Sequence, residues 1–135
     1  MAQDKRVGIV LVSHSKEVAD SVAALALGLA GVPEAPVTGA GGLPGGGLGT
    51  SAELITEAAH RMDSGAGVAL LVDLGSAVLT VKSLLAEGDE LPEPARLVDA
   101  PLVEGAVAAV VTAAGGADLE TVAAAAEEAY AYRKL

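Results

Sequence analysis

Two apolar runs with no polar position, Val7-Gly8-Ile9-Val10-Leu11-Val12 and Val68-Ala69-Leu70-Leu71-Val72, limit what this chain can become. A strand with one wet face alternates polar and apolar residues, so an unbroken run belongs to a strand covered on both sides. That is the situation in a parallel sheet flanked by helices. Both runs stop on polar residues, Ser13-His14-Ser15 and Asp73-Leu74-Gly75-Ser76. With 2 Tyr and no Phe or Trp, Ala, Val and Leu must build the core. Small aliphatics fill space by bringing backbones close, which suits a layered structure.

The segments between the runs read as helices. Val18, Val22, Leu25 and Leu29 form a stripe at helical spacing, closed by Gly31–Pro36. Ala35-Pro36-Val37-Thr38 is the poorest strand candidate, and 39–49 reads as a glycine-rich loop. Thr50 is placed to cap a helix with Glu53 completing a capping box, and Leu54, Ile55, Ala58, Ala59 and Met62 supply its stripe. A helix is expected over 77–87, an acidic turn over 88–94, and a short strand at Arg96-Leu97-Val98. Pro101 suits the first turn of a helix continuing from Leu102 to Ala114, and Asp118 caps a last helix reaching Tyr130. The order β-α-β-α-β-α-β-α-α predicts an α/β fold: one domain over 1–135, with an open, mostly parallel sheet of four to five strands and helices on both faces.

Charge and composition exclude several functions. Against 8 Lys+Arg stand 18 Asp+Glu, a net charge of −10, and phosphate-rich partners such as nucleic acid or an anionic membrane surface are disfavoured. A hydrophobic share of 52% excludes a disordered acidic tail. There is no Cys, hence no disulfide and no thiolate metal site; two His give poor metal-ligand spacing, so neither metal nor cofactor is expected. The longest nearly uncharged stretch, Val22–Val32, falls short of the ~20 residues of a membrane span. The first apolar run is too short for a signal peptide, and a cytoplasmic location is expected.

In open α/β sheets ligands gather at the carboxyl ends of strands, where strand order reverses. His14 and Asp73 fall at two such ends, and in a 2-1-3-4 order their side chains meet. A carboxylate beside an imidazole fixes its tautomer and leaves the far nitrogen as nucleophile. The plainer alternative makes His14 a polar strand end and Asp73 a helix cap. Gly47-Leu48-Gly49-Thr50-Ser51-Ala52 matches G-x-G-x-x-A, but after a poor strand, and no Walker motif occurs. His60 reads as a solvated helix-face residue and Asp99 as a cap for the helix at Pro101. Leu102-Val103-Glu104-Gly105-Ala106 offers a possible partner surface.

Four segments in order carry a resemblance: Gly8-Ile9-Val10-Leu11-Val12-Ser13-His14-Ser15-Lys16, Gly49-Thr50-Ser51, Asp73-Leu74-Gly75-Ser76-Ala77 and Ala100-Pro101-Leu102-Val103-Glu104-Gly105-Ala106. Together they resemble the phosphotransferase subunit of phosphoenolpyruvate-dependent dihydroxyacetone kinases (the DhaM type), whose fold is that of the mannose-type enzyme IIA. The resemblance implies a phosphohistidine relay. His14 would accept a phosphoryl group from the carrier HPr and pass it to ADP on the kinase's nucleotide-binding subunit, supporting dihydroxyacetone phosphorylation. Asp73 would orient His14, and Ser13, Ser15, Gly49, Thr50, Ser51, Gly75 and Ser76 would contact the phosphoryl group. A homodimer is implied, and a chain of 135 residues would rely on a separate carrier. The competing readings are a small-ligand or nucleotide sensor using the glycine-rich loop, and an interaction module without chemistry.

Overall fold

The computed structural model describes residues 5–135. Its elements are β1 (Gly8–Ser13), α1 (Lys16–Ala30), β2 (Val37–Gly41), α2 (Ala52–Met62), β3 (Val68–Val72), α3 (Gly75–Glu87), β4 (Ala95–Val98), α4 (Leu102–Ala114) and α5 (Leu119–Glu128), followed by a 3₁₀ turn at Ala129–Ala131. The four strands form one sheet in the order β2-β1-β3-β4, every pairing parallel. Strand β1 lies between β2 and β3 and has helices over both of its faces, and that cover explains why it tolerates no polar side chain before Ser13.

The two faces of each central strand supply two cores. Ile9 and Leu11 of β1, with Ala69 and Leu71 of β3, pack under α1, α4 and α5. Val10 and Val12, with Val68 and Leu70, pack under α2 and α3. Most helix residues in these cores are alanine or valine, so the helices sit close to the sheet without aromatic filler.

Several boundaries differ from expectation. Strand β2 begins at Val37 and runs through Gly41, into the segment read as loop, because Gly39 and Gly41 lie where α1 crosses. A Cβ on Gly41 would overlap the Ser15 carbonyl, so only glycine lets β2 pass beneath the turn carrying His14. Gly41→Ala is expected to lower unfolding free energy by about 1–3 kcal/mol in a urea titration. Helix α2 is capped by Ser51, not Thr50: Ser51 has the extended backbone of a cap and its hydroxyl accepts from the Leu54 N–H. Helix α3 begins at Gly75, two residues earlier than expected. Asp99 caps nothing; it accepts from the Tyr130 hydroxyl, and Pro101 stands at the α4 N-terminus. Asp118 caps α5 through the Thr121 N–H, as expected.

Helix α1 turns an unexpected face inward. Its buried residues are Ala19, Val22 and Ala26, whereas Val18, Leu25 and Leu29 of the predicted stripe point to solvent. Small side chains are what allow α1 to lie close on the sheet, and the larger ones are left outside.

Candidate functional site

The carboxyl ends of β1 and β3 lie side by side, with Val12 paired to Val72, so the next residues of each strand emerge together. The Asp73 N–H donates to the Val12 carbonyl at 3.1 Å, and the His14 N–H donates to Asp73 Oδ2 at 3.0 Å. The two loops are thus latched by their backbones before any side chain is considered.

On this frame His14 Nδ1 lies 3.0 Å from Asp73 Oδ1, and Nε2 contacts the Ser76 hydroxyl. The His14 side chain is 25% exposed, buried enough to be held and open enough to be reached. Asp73 Oδ2 also accepts from the Ser13 hydroxyl at 2.9 Å, and Oδ1 from the Leu74 N–H at 2.7 Å. Partial burial opposes ionisation of Asp73. The opposing donors outweigh it: the His14 N–H, the Ser13 hydroxyl, the His14 ring and the Leu74 N–H hold the carboxyl below its ordinary 3.8. An ionised carboxylate only accepts, so Nδ1 carries the ring proton in the neutral imidazole and Nε2 presents its lone pair at the surface.

Helix α3 opens directly beneath Nε2. Its cap residue, Leu74, makes no side-chain cap bond, and the N–H groups of Gly75 and Ser76 have no protein acceptor among the described residues. A free helix N-terminus of this kind favours an anion.

The other predicted contacts are differently engaged. Ser13 is 1% exposed and spends its hydroxyl on Asp73, so it orients the carboxylate and does not face an incoming group. Ser15 caps α1 through the Val18 N–H. The Gly49 N–H donates to the His14 carbonyl at 2.9 Å, which leaves it no donor for a phosphoryl oxygen; its φ is +149, and the Leu43 side chain stands where a Cβ would go. The Thr50 hydroxyl bonds to that of Thr80 at 3.1 Å, joining the α2 entry to α3. Sequence reasoning missed Thr80; only its helical spacing four residues after Ser76 signals it.

Four exposed leucines on the segments that carry the site residues were also missed. Leu74 precedes the α3 opening, Leu79 lies one turn beyond Ser76, and Leu43 and Leu48 come from the glycine-rich loop; their exposure ranges from 42% to 77%. The G-x-G-x-x-A stretch follows β2 at the sheet edge, not the central β1 of a dinucleotide site. His60 lies on α2 and bonds the Glu90 carbonyl, away from His14. No group of three or more His, Asp or Glu suited to a metal ion occurs among the described residues, and none of their helices is long and apolar enough to cross a membrane.

Comparison with known proteins agrees with this architecture. Residues 8–123 match the family model EIIA-man, the PTS system fructose IIA component. The phosphoryl donor subunit DhaM of a PEP-dependent dihydroxyacetone kinase from Providencia stuartii is 35% identical over 129 residues, covering 91% of this chain and 26% of that protein. The chain thus spans about a quarter of that relative's length. DhaM of the second such kinase of Listeria innocua is 34% identical over 106 residues, covering 78% of this chain and 84% of the relative. The crystal structure of EF1359, a protein of unknown function, superposes with a TM-score of 0.80 at 32% identity, covering 96% of this chain and 98% of that one. Fold and sequence together place the chain in the EIIA-man family, alongside the DhaM phosphoryl donor subunits.

Proposed function

We propose that this chain, as one phosphohistidine domain, is the phosphoryl donor of a dihydroxyacetone kinase, with His14 as the residue that carries the phosphoryl group. The observation that carries this reading is the clamped imidazole: Nδ1 held on Asp73, Nε2 open beside Ser76 and the α3 N-terminus. In the first half-reaction Nε2 attacks the phosphorus of phospho-HPr in line, the donor's P–N bond breaks as the new one forms, and the ring proton stays on Nδ1. Asp73 stabilises the resulting imidazolium. The three phosphoryl oxygens meet the Ser76 hydroxyl and the N–H groups of Gly75 and Ser76, with Thr50 and Ser51 behind them at the α2 entry. In the second half-reaction a terminal oxygen of ADP, held on the kinase's nucleotide-binding subunit, attacks the same phosphorus and His14 is regenerated. The protein acts in the cytoplasm as a homodimer, needing no metal or cofactor of its own.

Transfer between proteins requires that water leave the space around Nε2. The exposed leucines Leu43, Leu48, Leu74 and Leu79, on the segments next to the site, supply the apolar surface for that contact. Leu79→Glu is expected to slow labelling by phospho-HPr about 10- to 100-fold, with little change in melting temperature because Leu79 is 69% exposed. An unchanged rate would move the docking surface elsewhere.

The test of the function is reconstitution. With radiolabelled phosphoenolpyruvate, enzyme I and HPr, the protein should acquire an acid-labile, base-stable label. Adding the ADP-loaded kinase subunit should discharge that label into ATP. Absence of labelling overturns the proposal, and labelling without discharge overturns the assigned acceptor.

A further inference from the structure

Helix α3 carries Ser76 as its second residue, on a turn that is weakly held by ordinary means. Leu74 gives no side-chain cap, no acidic residue stands in the first turn, and nothing lies within 4 Å of where a Gly75 Cβ would sit. Gly75 and Ser76 are exposed, and the first buried residue of the helix is Ala77. Helix ends without caps fray. A serine on such a turn would wander, yet its hydroxyl contacts His14 Nε2.

A hydroxyl from the next turn supplies the missing restraint. Thr80 Oγ1 donates to the Ser76 carbonyl at 3.0 Å and lies 3.1 Å from Thr50 Oγ1. A hydroxyl has one proton, and that of Thr80 is given to Ser76, so the Thr50 hydroxyl is the donor to Thr80. The path closes on itself. The His14 carbonyl accepts from the Gly49 N–H, Thr50 follows Gly49 in the chain, Thr50 bonds Thr80, Thr80 bonds Ser76, and Ser76 meets the ring of the same His14. The serine is thereby fixed relative to the histidine and not merely to its own helix.

Helix stability does not account for this threonine. Threonine is a poorer helix former than alanine or lysine, and back-bonding to the carbonyl four residues earlier slightly destabilises a helix and bends it. We infer that Thr80 is a positioning residue of the relay, fixing the first turn of α3 so that the Ser76 hydroxyl and N–H meet the phosphoryl group on Nε2. The inference rests on the proposed phosphohistidine relay and adds to it a residue outside the site. Thr80 bonds to Ser76 and Thr50, not to His14, and so acts through Ser76. Displacing a reacting contact by about 1 Å costs on the order of 100-fold in rate, and a loosened turn should cost part of that.

The test is a double-mutant cycle in the full chain, read as the rate of His14 labelling over a range of phospho-HPr concentrations. Thr80→Val keeps the branched shape and removes the proton. Its maximal rate should fall about 10-fold, with the half-saturating concentration within about 2-fold of the parent's. Its melting temperature should stay within about 3 °C of the parent's. Thr80→Ser, which restores the hydroxyl, should recover most of the rate. In a Ser76→Ala background, itself slower than the parent, Thr80→Val should change the rate by less than about 2-fold, because the contact it serves is gone. Should Thr80→Val fail to fold, Thr80→Ala gives the same comparison with a better helix former. An unchanged maximal rate in the folded variant overturns the inference. So does an equal fall in the Ser76→Ala background, which would make Thr80 a general brace between α2 and α3. A parent chain that takes no label overturns the relay and this inference with it, whereas a labelled parent with an unaffected variant overturns the role of Thr80 alone.

Discussion

Replacing His14 by alanine should reduce phosphoryl labelling to background, a loss of at least about 1,000-fold, while the protein stays folded. The nucleophile disappears, but the backbone N–H that donates to Asp73 Oδ2 does not depend on the side chain. Asp73 also keeps Ser13 and the Leu74 N–H as donors. The stability cost should therefore stay near about 1 kcal/mol, that of one partly exposed hydrogen bond. Circular dichroism and a urea titration check the fold, and autoradiography checks the label. Label persisting on a folded His14→Ala protein would overturn the assignment of the nucleophile.

The second large effect is expected for Asp73→Asn, and it is more informative because the shape is conserved. Each carboxylate oxygen accepts from a backbone N–H: Oδ2 from His14 and Oδ1 from Leu74. An amide has one acceptor oxygen, so whichever way the substituted side chain turns, its NH₂ faces a backbone donor. If the NH₂ also faces Nδ1, the ring must accept there and carry its proton on Nε2, the nitrogen needed as nucleophile. If the oxygen faces Nδ1, the tautomer survives without a negative charge to stabilise the imidazolium. Labelling should slow by roughly 100- to 10,000-fold, the range for removing a carboxylate behind a reactive imidazole. A normal rate would reduce Asp73 to a turn-forming residue.

This variant also has a pH signature. Because the folded-state pKa of Asp73 is lowered, its stabilising contribution is present in full above about 3.8 and is lost as pH falls through the lowered value. At neutral pH the parent should be more stable than Asp73→Asn by about 1–3 kcal/mol. The gap should close in stronger acid, and urea titrations at a series of pH values measure it.

Much of this was legible in the sequence. Strands β1 and β3 were readable because burial on both faces leaves a run without polar interruption. The juxtaposition of His14 and Asp73 follows once those strands are neighbours, since both residues come directly after them. Strand β2 was harder, because the glycines that let α1 cross it are also loop residues by composition. Helix α1 is where its stripe predicts, but the face it buries differs for a related reason. Leucine dominates any hydrophobic pattern, whereas close packing on the sheet selects Ala19 and Ala26 and turns Leu25 and Leu29 outward. Thr50 and Ser51 are both good cap residues, and only the backbone angles choose between them.

The glycine-rich segment is held at both ends: the Gly42 N–H donates to the Ser13 carbonyl and the Gly49 N–H to the His14 carbonyl. Between those anchors the chain touches little, and Gly45, Gly46 and Gly47 have open space around them. The tip is therefore mechanically insulated from the histidine. Lengthening, trimming or grafting new residues between the two anchors would change what the loop offers to an approaching protein without displacing the imidazole.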